Sequence, residues 1–262
     1  QKGKPMSKNI TFLCVTGVIN SSINNDFEGI RLDSNGNIIT SDVSKKYKMK
    51  KYMKKQDKKI LGEERFKIDE GKKEYIDTKL YLNNNNYHSH KEVLENFSDI
   101  LYFGHVFGKV SGSSKKTTKL LEIDNSNLIA PVITTFGKNI FVEKNENSND
   151  YSTINNIDTI VITNSSAIKE VTDSSKKSNS VGSKHLIEEA YIQNNVIYND
   201  YQMKQNQKQY KFETNENHEE FLTKVLNHDS SEFQSASMNN IFNLITVKIK
   251  SEFYINNIWI KV

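Results

Sequence analysis

The first strongly patterned segment is residues 10–19, ITFLCVTGVI, an uncharged run of β-branched and aromatic residues that predicts a buried central strand rather than a helix of so few turns. Residues 29–40 read as a small hairpin, because Ser34, Asn35, Gly36 and Asn37 supply the positive-φ positions that a tight turn needs between apolar neighbours. Asp42 is the expected cap of a helix in which Val43, Tyr47, Met49 and Met53 fall within one arc of about 160° at 100° per residue, leaving Lys48, Lys51 and Lys55 opposite. A helix over 90–97 and a strand over 100–106 follow, the latter closed by the glycines of FGHVFG (103–108). A strand pair is expected around 128–142, with Pro131 at a strand start, an edge or a bulge because it cannot donate a ladder hydrogen bond. Residues 158–163 make a short strand. Residues 164–183 are polar, serine-rich and poorly periodic, as in a projecting loop or hairpin, and strand character returns over 190–198 (AYIQNNVIY). A helix over 219–227 has Asn217 as cap, Glu220 three residues on, and Phe221, Leu222, Val225 and Leu226 as its apolar stripe. Strands over 241–250 and 253–262 close the chain. Strands outnumber helices in a mixed order, which predicts an α+β fold with a largely antiparallel sheet and no internal repeat.

Charge changes this picture at one place. Between residues 42 and 60 there are nine lysines and two aspartates, a net of +7, while the whole chain carries only +4. Like charges at helical spacings of three and four repel by a few tenths of a kcal/mol per pair, and the helix holds few acids of its own. The bland reading is a solvated lysine face. The density favours a polyanion surface, since phosphate neutralisation and counterion release supply most of such affinity.

At 262 residues the chain suffices for one sizeable domain or two small ones. No run of eighteen apolar residues and no secretory pattern is present, so the expectation is a cytoplasmic chain without a membrane partner. The single cysteine, Cys14, lies in the first apolar run and reads as a small buried residue. Arginine occurs only at Arg31 and Arg65, and the asparagine tracts at 83–86 and 145–149 carry no functional weight. Gln1 to Pro5 precede Met6, read either as a leading remnant or as an upstream extension, and are left out of the fold reasoning.

Catalytic signals are sparse. Asp26, Glu28 and Asp33 could together hold a divalent metal, but no histidine or tight acidic spacing closes such a site. His88 and His90 lack the second ligand pair of a zinc site. The run Gly104 to Lys109 is one residue short of a phosphate loop and lacks its following Ser or Thr. No Gly-x-Ser-x-Gly elbow exists, nor the aromatic motif with which ordinary RNA-recognition sheets stack bases.

Five blocks, in order, resemble the CRISPR-associated backbone subunits of type I Cascade-like complexes, the Cas-seven family, nearest the forms of subtypes B and C. In residues 20–43, Asp26, Glu28, Arg31, Asp33, Gly36, Asp42 and Val43 match the family's Asn-Pro-Asn-Gly-Asp-Pro-Asp segment, its Arg-x-Asp, glycine turn and Thr-Asp-Val. Lys46, Lys48 and Lys50 then match its basic helix and Tyr52 its tyrosine. DILYFGHVFG (99–108) with IAPVITTFGKNI (129–140) resembles its Phe-Gly-x-x-Phe and Thr-Gly-Pro-Val-Gln pair, and VGSKHLIEEAY (181–191) its Gly-x-Lys-His segment. The helix 219–227 and the stretch 229–238, with His228 before it, resemble a closing Asp-Arg-Ser-x-x-Arg-Gly-x-Met. Departures are Ser-Ile-Asn for Pro-Asn-Gly, Tyr47 for an arginine, and Glu232 and Ala236 for the closing arginines.

The resemblance implies an RNA-recognition-motif-like (ferredoxin-like) antiparallel palm over 6–262, a finger insertion at 57–98 and a thumb hairpin at 156–184 bearing Ile168 and Val171. It implies a non-catalytic subunit without cofactor or metal that polymerises in a helical filament along a guide crRNA and presents its bases for pairing with target DNA. The residues it puts on RNA are Asn20, Arg31, Ser41, Lys45, Lys46, Lys48, Lys50, Lys115, Lys116, Lys176, Lys177, Lys184 and His185. Its implied companions are large, cap and small subunits and a crRNA-processing nuclease. The alternative is a metal-dependent target-RNA endoribonuclease of a type III-like complex, with Asp26 catalytic.

Overall fold

The computed structural model describes residues 9–21, 23, 30–69, 72–107, 127–144, 151–163, 181–228 and 241–251. β1 (Asn9–Ser21) leads through the turn to β2 (Ile39–Thr40) and the long helix α1 (Asp42–Lys55). α2 (Leu61–Glu64), the hairpin β3 (Phe66–Asp69) and β4 (Lys72–Tyr75), then α3 (Thr78–Asn84), α4 (His90–Asn96) and α5 (Ser98–Phe103) come next. Short strands β5 (His105–Val106), β6 (Asn127–Leu128), β7 (Val132–Thr134), β8 (Gly137–Asn139), β9 (Val142–Lys144) and β10 (Tyr151–Thr153) lead to β11 (Ile157–Thr163) and β12 (Val181–Asn199). α6 (Asp200–Tyr210), α7 (His218–Asn227) and β13 (Ile241–Ser251) complete the described chain. The fold is a mixed α/β one.

The central sheet runs β13-β1-β12-β8-β2, with β7 and β11 also paired to β12, and every pairing in it is antiparallel. Alternation in β1 decides its faces: Ile10, Phe12 and Cys14 are buried under the helices, while Thr11 and Leu13 lie half-buried on the other side. The register of β13 against β1 skips at Val15/Thr16, where Leu244 is passed over as a bulge. At Gly17 the ring of Phe242 from β13 occupies the space a Cβ would need, so a larger residue there would have to displace that ring.

The helices cover one face of the sheet. Met49 and Met53 of α1, Leu82 of α3, Val93 and Leu94 of α4, and Leu222 of α7 join Phe12, Val196 and Tyr198 in the main core. A smaller cluster, Val18, Ile38, Ile187, Ala190, Ile192 and Ile241, lies near the 33–37 turn. Asn139 ties these parts together: its Oδ1 accepts the amides of Phe141 and Tyr191, both at 3.1 Å, while its Nδ2 donates to the Ile154 carbonyl at 2.7 Å. β8, β12 and the approach to β11 are thereby fixed to one buried amide.

Several expectations change. The apolar run 100–106 is not a strand: Ser98–Phe103 is the buried helix α5 and only His105–Val106 is extended. The buried carboxylate of Asp99 on this helix accepts the amides of Leu61 at 2.8 Å and Gly62 at 3.1 Å, capping α2 from a distance where Ile60 offers no side-chain cap. The expected strand over 190–198 is the second half of the 19-residue β12, which begins at Val181 inside the expected loop. Ser41, rather than Asp42, caps α1, its Oγ accepting Ser44 N at 3.3 Å. The 33–37 turn forms as expected, with Gly36 at φ +80 and Leu32 bridged to Ile38. α7 also follows its pattern, Asn217 accepting Glu220 N at 3.2 Å. Residues 253–262, the expected last strand, lie outside the described residues. Among the described residues no helix is long and apolar enough to cross a membrane.

Candidate nucleic-acid interface

α1 forms because its cap is good and its buried positions take two methionines, which adapt to the irregular space between β1, β7 and α7. Its buried stripe is narrower than the hydrophobic pattern implies: Val43 and Tyr47 are 65% and 53% exposed, while Met49 and Met53 are buried. Tyr47 therefore stands on the outward side beside Lys51, whose Nζ lies 5.3 Å from its ring centroid, and Lys54. Lys48 turns out to be half-buried rather than opposite the core, in a small cleft of about 20 Å3 lined also by Thr16, Lys45, Tyr52, Val225, Leu226 and Asn243. Burial, aided by the nearby Lys45 charge, lowers the Lys48 amine from 10.5 to about 8.

The lysines do not lack acids; one comes from the first turn of α1 itself and the rest from elsewhere in the fold. Lys46 Nζ meets Asp42 at 2.7 Å, Lys50 meets Asp99 at 3.8 Å, and Lys58 meets Glu216 at 2.8 Å. Glu63 takes both Lys51, at 3.1 Å, and Lys54, at 2.5 Å. Lys50 also lies 5.9 Å above the Phe103 ring. Lys45 and Lys48 make no ion pair with an acid among the described residues, and these are the amines of the cleft between α1, α7 and β13. Among the described residues the surface thus has two parts, a pair at the cleft that meets no acid and a compensated face around Tyr47.

The remaining predicted residues spread widely. Asn20 is the penultimate residue of β1, exposed and at φ 44. Arg31 is half-buried at the hairpin, and its carbonyl accepts Ile39 N at 3.0 Å. The Ser41 hydroxyl is engaged in capping α1. Lys184 and His185 lie on β12 opposite Ile160 and Thr159 of β11. Asp26, Glu28, Lys115, Lys116, Ile168, Val171, Lys176 and Lys177 lie outside the described residues. Among the described residues the largest group of them on one element is Lys45, Lys46, Lys48 and Lys50 on α1. Tyr47 was missed by the sequence reading because an aromatic at that position scores as core, although a basic run with an interleaved aromatic was the available signal.

Asp33 is committed to the turn. Its Oδ1 accepts the amides of Asn35 and Asn37, both at 2.9 Å, while Oδ2 accepts Asn37 Nδ2 at 3.0 Å and faces Lys138 Nζ at 3.5 Å. Hydrogen bonds from the Asn37 side chain and backbone, chiefly, lower its carboxyl to about 2. Its oxygens are thus occupied by the protein, and among the described residues no group of three His, Cys, Asp or Glu side chains could hold a metal ion.

The chain resembles, at 9% identity and TM-score 0.39, a chain of a Type III-B Cmr-beta complex bound to cognate target RNA, covering 93% of this chain and 61% of that one. It resembles, at 11% identity and TM-score 0.43, a chain of a CRISPR RNA-guided surveillance complex in a pre-nicking state, covering 88% of this chain and 75% of that one. No curated protein matches it. The model of the family described as CRISPR-associated protein Cas7 matches residues 8–258, nearly the whole sequence, and the chain belongs to that family.

Proposed function

We propose that this chain is a non-catalytic backbone subunit of a type I CRISPR Cascade effector complex, polymerising along the guide crRNA and presenting its bases to target DNA. The observation that carries the reading is the cation density of α1, where Lys45 and Lys48 face the cleft and pair with no acid among the described residues. In this reading the central sheet and its helices are an RNA-recognition-motif-like palm. The antiparallel ladder from Ile157↔Ile187 to Thr163↔Val181 is the root of a thumb that reaches the neighbouring copy. The protein reads backbone shape and charge, and base pairing reads sequence. Large, cap and small subunits and a crRNA-processing nuclease complete the assembly.

Purification with guide-length RNAs tests this: oligomers whose size follows RNA length are expected, and a strictly monomeric complex refutes it. If about four lysines touch single-stranded phosphates, log affinity against log salt slopes by about −3 per subunit, at roughly 0.7 per contact. The non-catalytic part is tested separately by incubating the assembled complex with complementary RNA and magnesium. Cleavage that disappears in Asp26→Ala would replace it with the ribonuclease alternative.

A further inference from the structure

The outward side of α1 carries two lysines whose charge is already answered by one group. Glu63 spans them, Oε1 at 3.1 Å from Lys51 Nζ and Oε2 at 2.5 Å from Lys54 Nζ. Each carboxylate oxygen takes one amine, as two oxygens of a phosphate would. The carboxylate is presented by a firm support, since α2 is tied through the amides of Leu61 and Gly62 to the buried Asp99. Burial alone would raise the Glu63 carboxyl, but hydrogen bonds and charge from Lys54 and Lys51 outweigh it and hold the group below its usual range. The face is nevertheless open, with the Lys54 side chain 57% exposed and the Tyr47 ring beside Lys51.

We propose that Lys51 and Lys54 form a phosphate site for single-stranded nucleic acid that Glu63 fills in the free chain, so that strand binding exchanges a carboxylate for a phosphate. This rests on the reading of α1 as the RNA-contacting surface and adds two lysines and a competitor to it. An isolated small anion competes poorly with a carboxylate held in place by the fold. A strand that already contacts other cations delivers its next phosphate at high local concentration and displaces Glu63. The released carboxylate recaptures a cation, so the exchange conceals about one phosphate contact from the salt dependence.

The test is binding of a short fluorescent oligouridylate to the full chain across a salt series. It compares wild type, Glu63→Gln, Lys51→Gln with Lys54→Gln, the triple variant, and Glu95→Gln, which makes the same change in net charge at an exposed position of α4 paired with Lys91 instead. Glu63→Gln is expected to tighten binding about three- to tenfold, the scale of two exposed ion pairs, and to steepen the salt slope by about 0.7. The gain should vanish when Lys51 and Lys54 are also replaced. If the wild type binds and Glu63→Gln gains no more than Glu95→Gln, Glu63 is only a strut between α2 and α1 and the proposal is overturned, with the polyanion reading intact. If neither wild type nor Glu63→Gln binds at low salt, both readings fall. Thermal melts of each variant exclude misfolding as the cause.

Discussion

Replacing Lys48 with methionine should make this protein more stable and poorer at binding nucleic acid. The amine sits in the α1–α7 cleft beside Lys45, and its burial lowers it from 10.5 to about 8. At about 1.4 kcal/mol per tenfold, that displacement corresponds to about 3 kcal/mol favouring the neutral amine over the charged one in the folded state. The unfolded chain keeps the ordinary amine, so between pH 8 and 10.5 it binds more protons than the folded chain does. Stability contributed by this group therefore rises as pH climbs through that window, and the destabilisation is at its full value below pH 8. Methionine keeps the unbranched packing and removes the charge. At pH 7 the gain should be about 1–3 kcal/mol, the lower bound allowing for the amine's contact with water.

Urea unfolding of wild type and Lys48→Met at pH 7 and pH 10 measures this directly. A gain of that size moves the midpoint by about 0.5–1.5 M at a slope near 2 kcal/mol per M. It should shrink at pH 10, where the folded wild-type amine is already neutral. On oligouridylate the same variant should weaken binding and flatten the salt slope by about 0.7, one phosphate contact. An unchanged or lower midpoint at pH 7, or a gain that persists undiminished at pH 10, refutes the argument that Lys48 is a charge held against its solvation.

Tyr47→Ala should weaken oligouridylate binding about 5- to 100-fold, the range of one lost base–aromatic stack, with little change in salt slope; fluorescence anisotropy decides it, and an equal affinity places the ring outside the strand's path. Asp99→Ala should destabilise the fold by about 2–4 kcal/mol in urea, because the amides of Leu61 and Gly62 lose a charged acceptor. His218 is held below its ordinary 6.5 chiefly by burial, with Nδ1 2.9 Å from the Tyr102 hydroxyl, which itself donates to Glu216 at 2.7 Å. The unfolded chain therefore binds a proton first as pH falls below 6.5, stability declines there, and the ring carbon resonance of His218 should remain that of neutral imidazole below that pH.

What could be read in the sequence followed the strength of local signals. β1 was legible because an uncharged β-branched run has few other fates, and α7 because cap, acid and stripe agree. α5 was not, since a short apolar run buried on all sides has no periodicity to separate helix from strand. α6 was invisible for the opposite reason: Met203 is its one buried apolar residue, and the buried Asn206 is satisfied by Ile129 O at 2.9 Å and Gln202 Nε2 at 2.8 Å. The lysine helix itself was plain. Its partners were not, because Glu63 and Asp99 come to it, and Glu216 to Lys58 just beyond it, through tertiary packing that spacing along the chain does not encode.

The places where local rules fail converge on α1. A helix shaped only by packing would bury Tyr47 and expose Lys48, and here the two are exchanged about the axis. Such exchanges lower stability, and they persist where the surface has work to do. With 100° between successive residues, Lys45 and Lys48 occupy one shoulder of the helix and Tyr47, Lys51 and Lys54 the side away from the core. Under the proposed function, a strand that touches both sets crosses the helix obliquely rather than following its length. Each subunit then holds only a few nucleotides, and a long guide requires copies set side by side. In that proposal the geometry of one helix favours a polymer as much as the proposed thumb does.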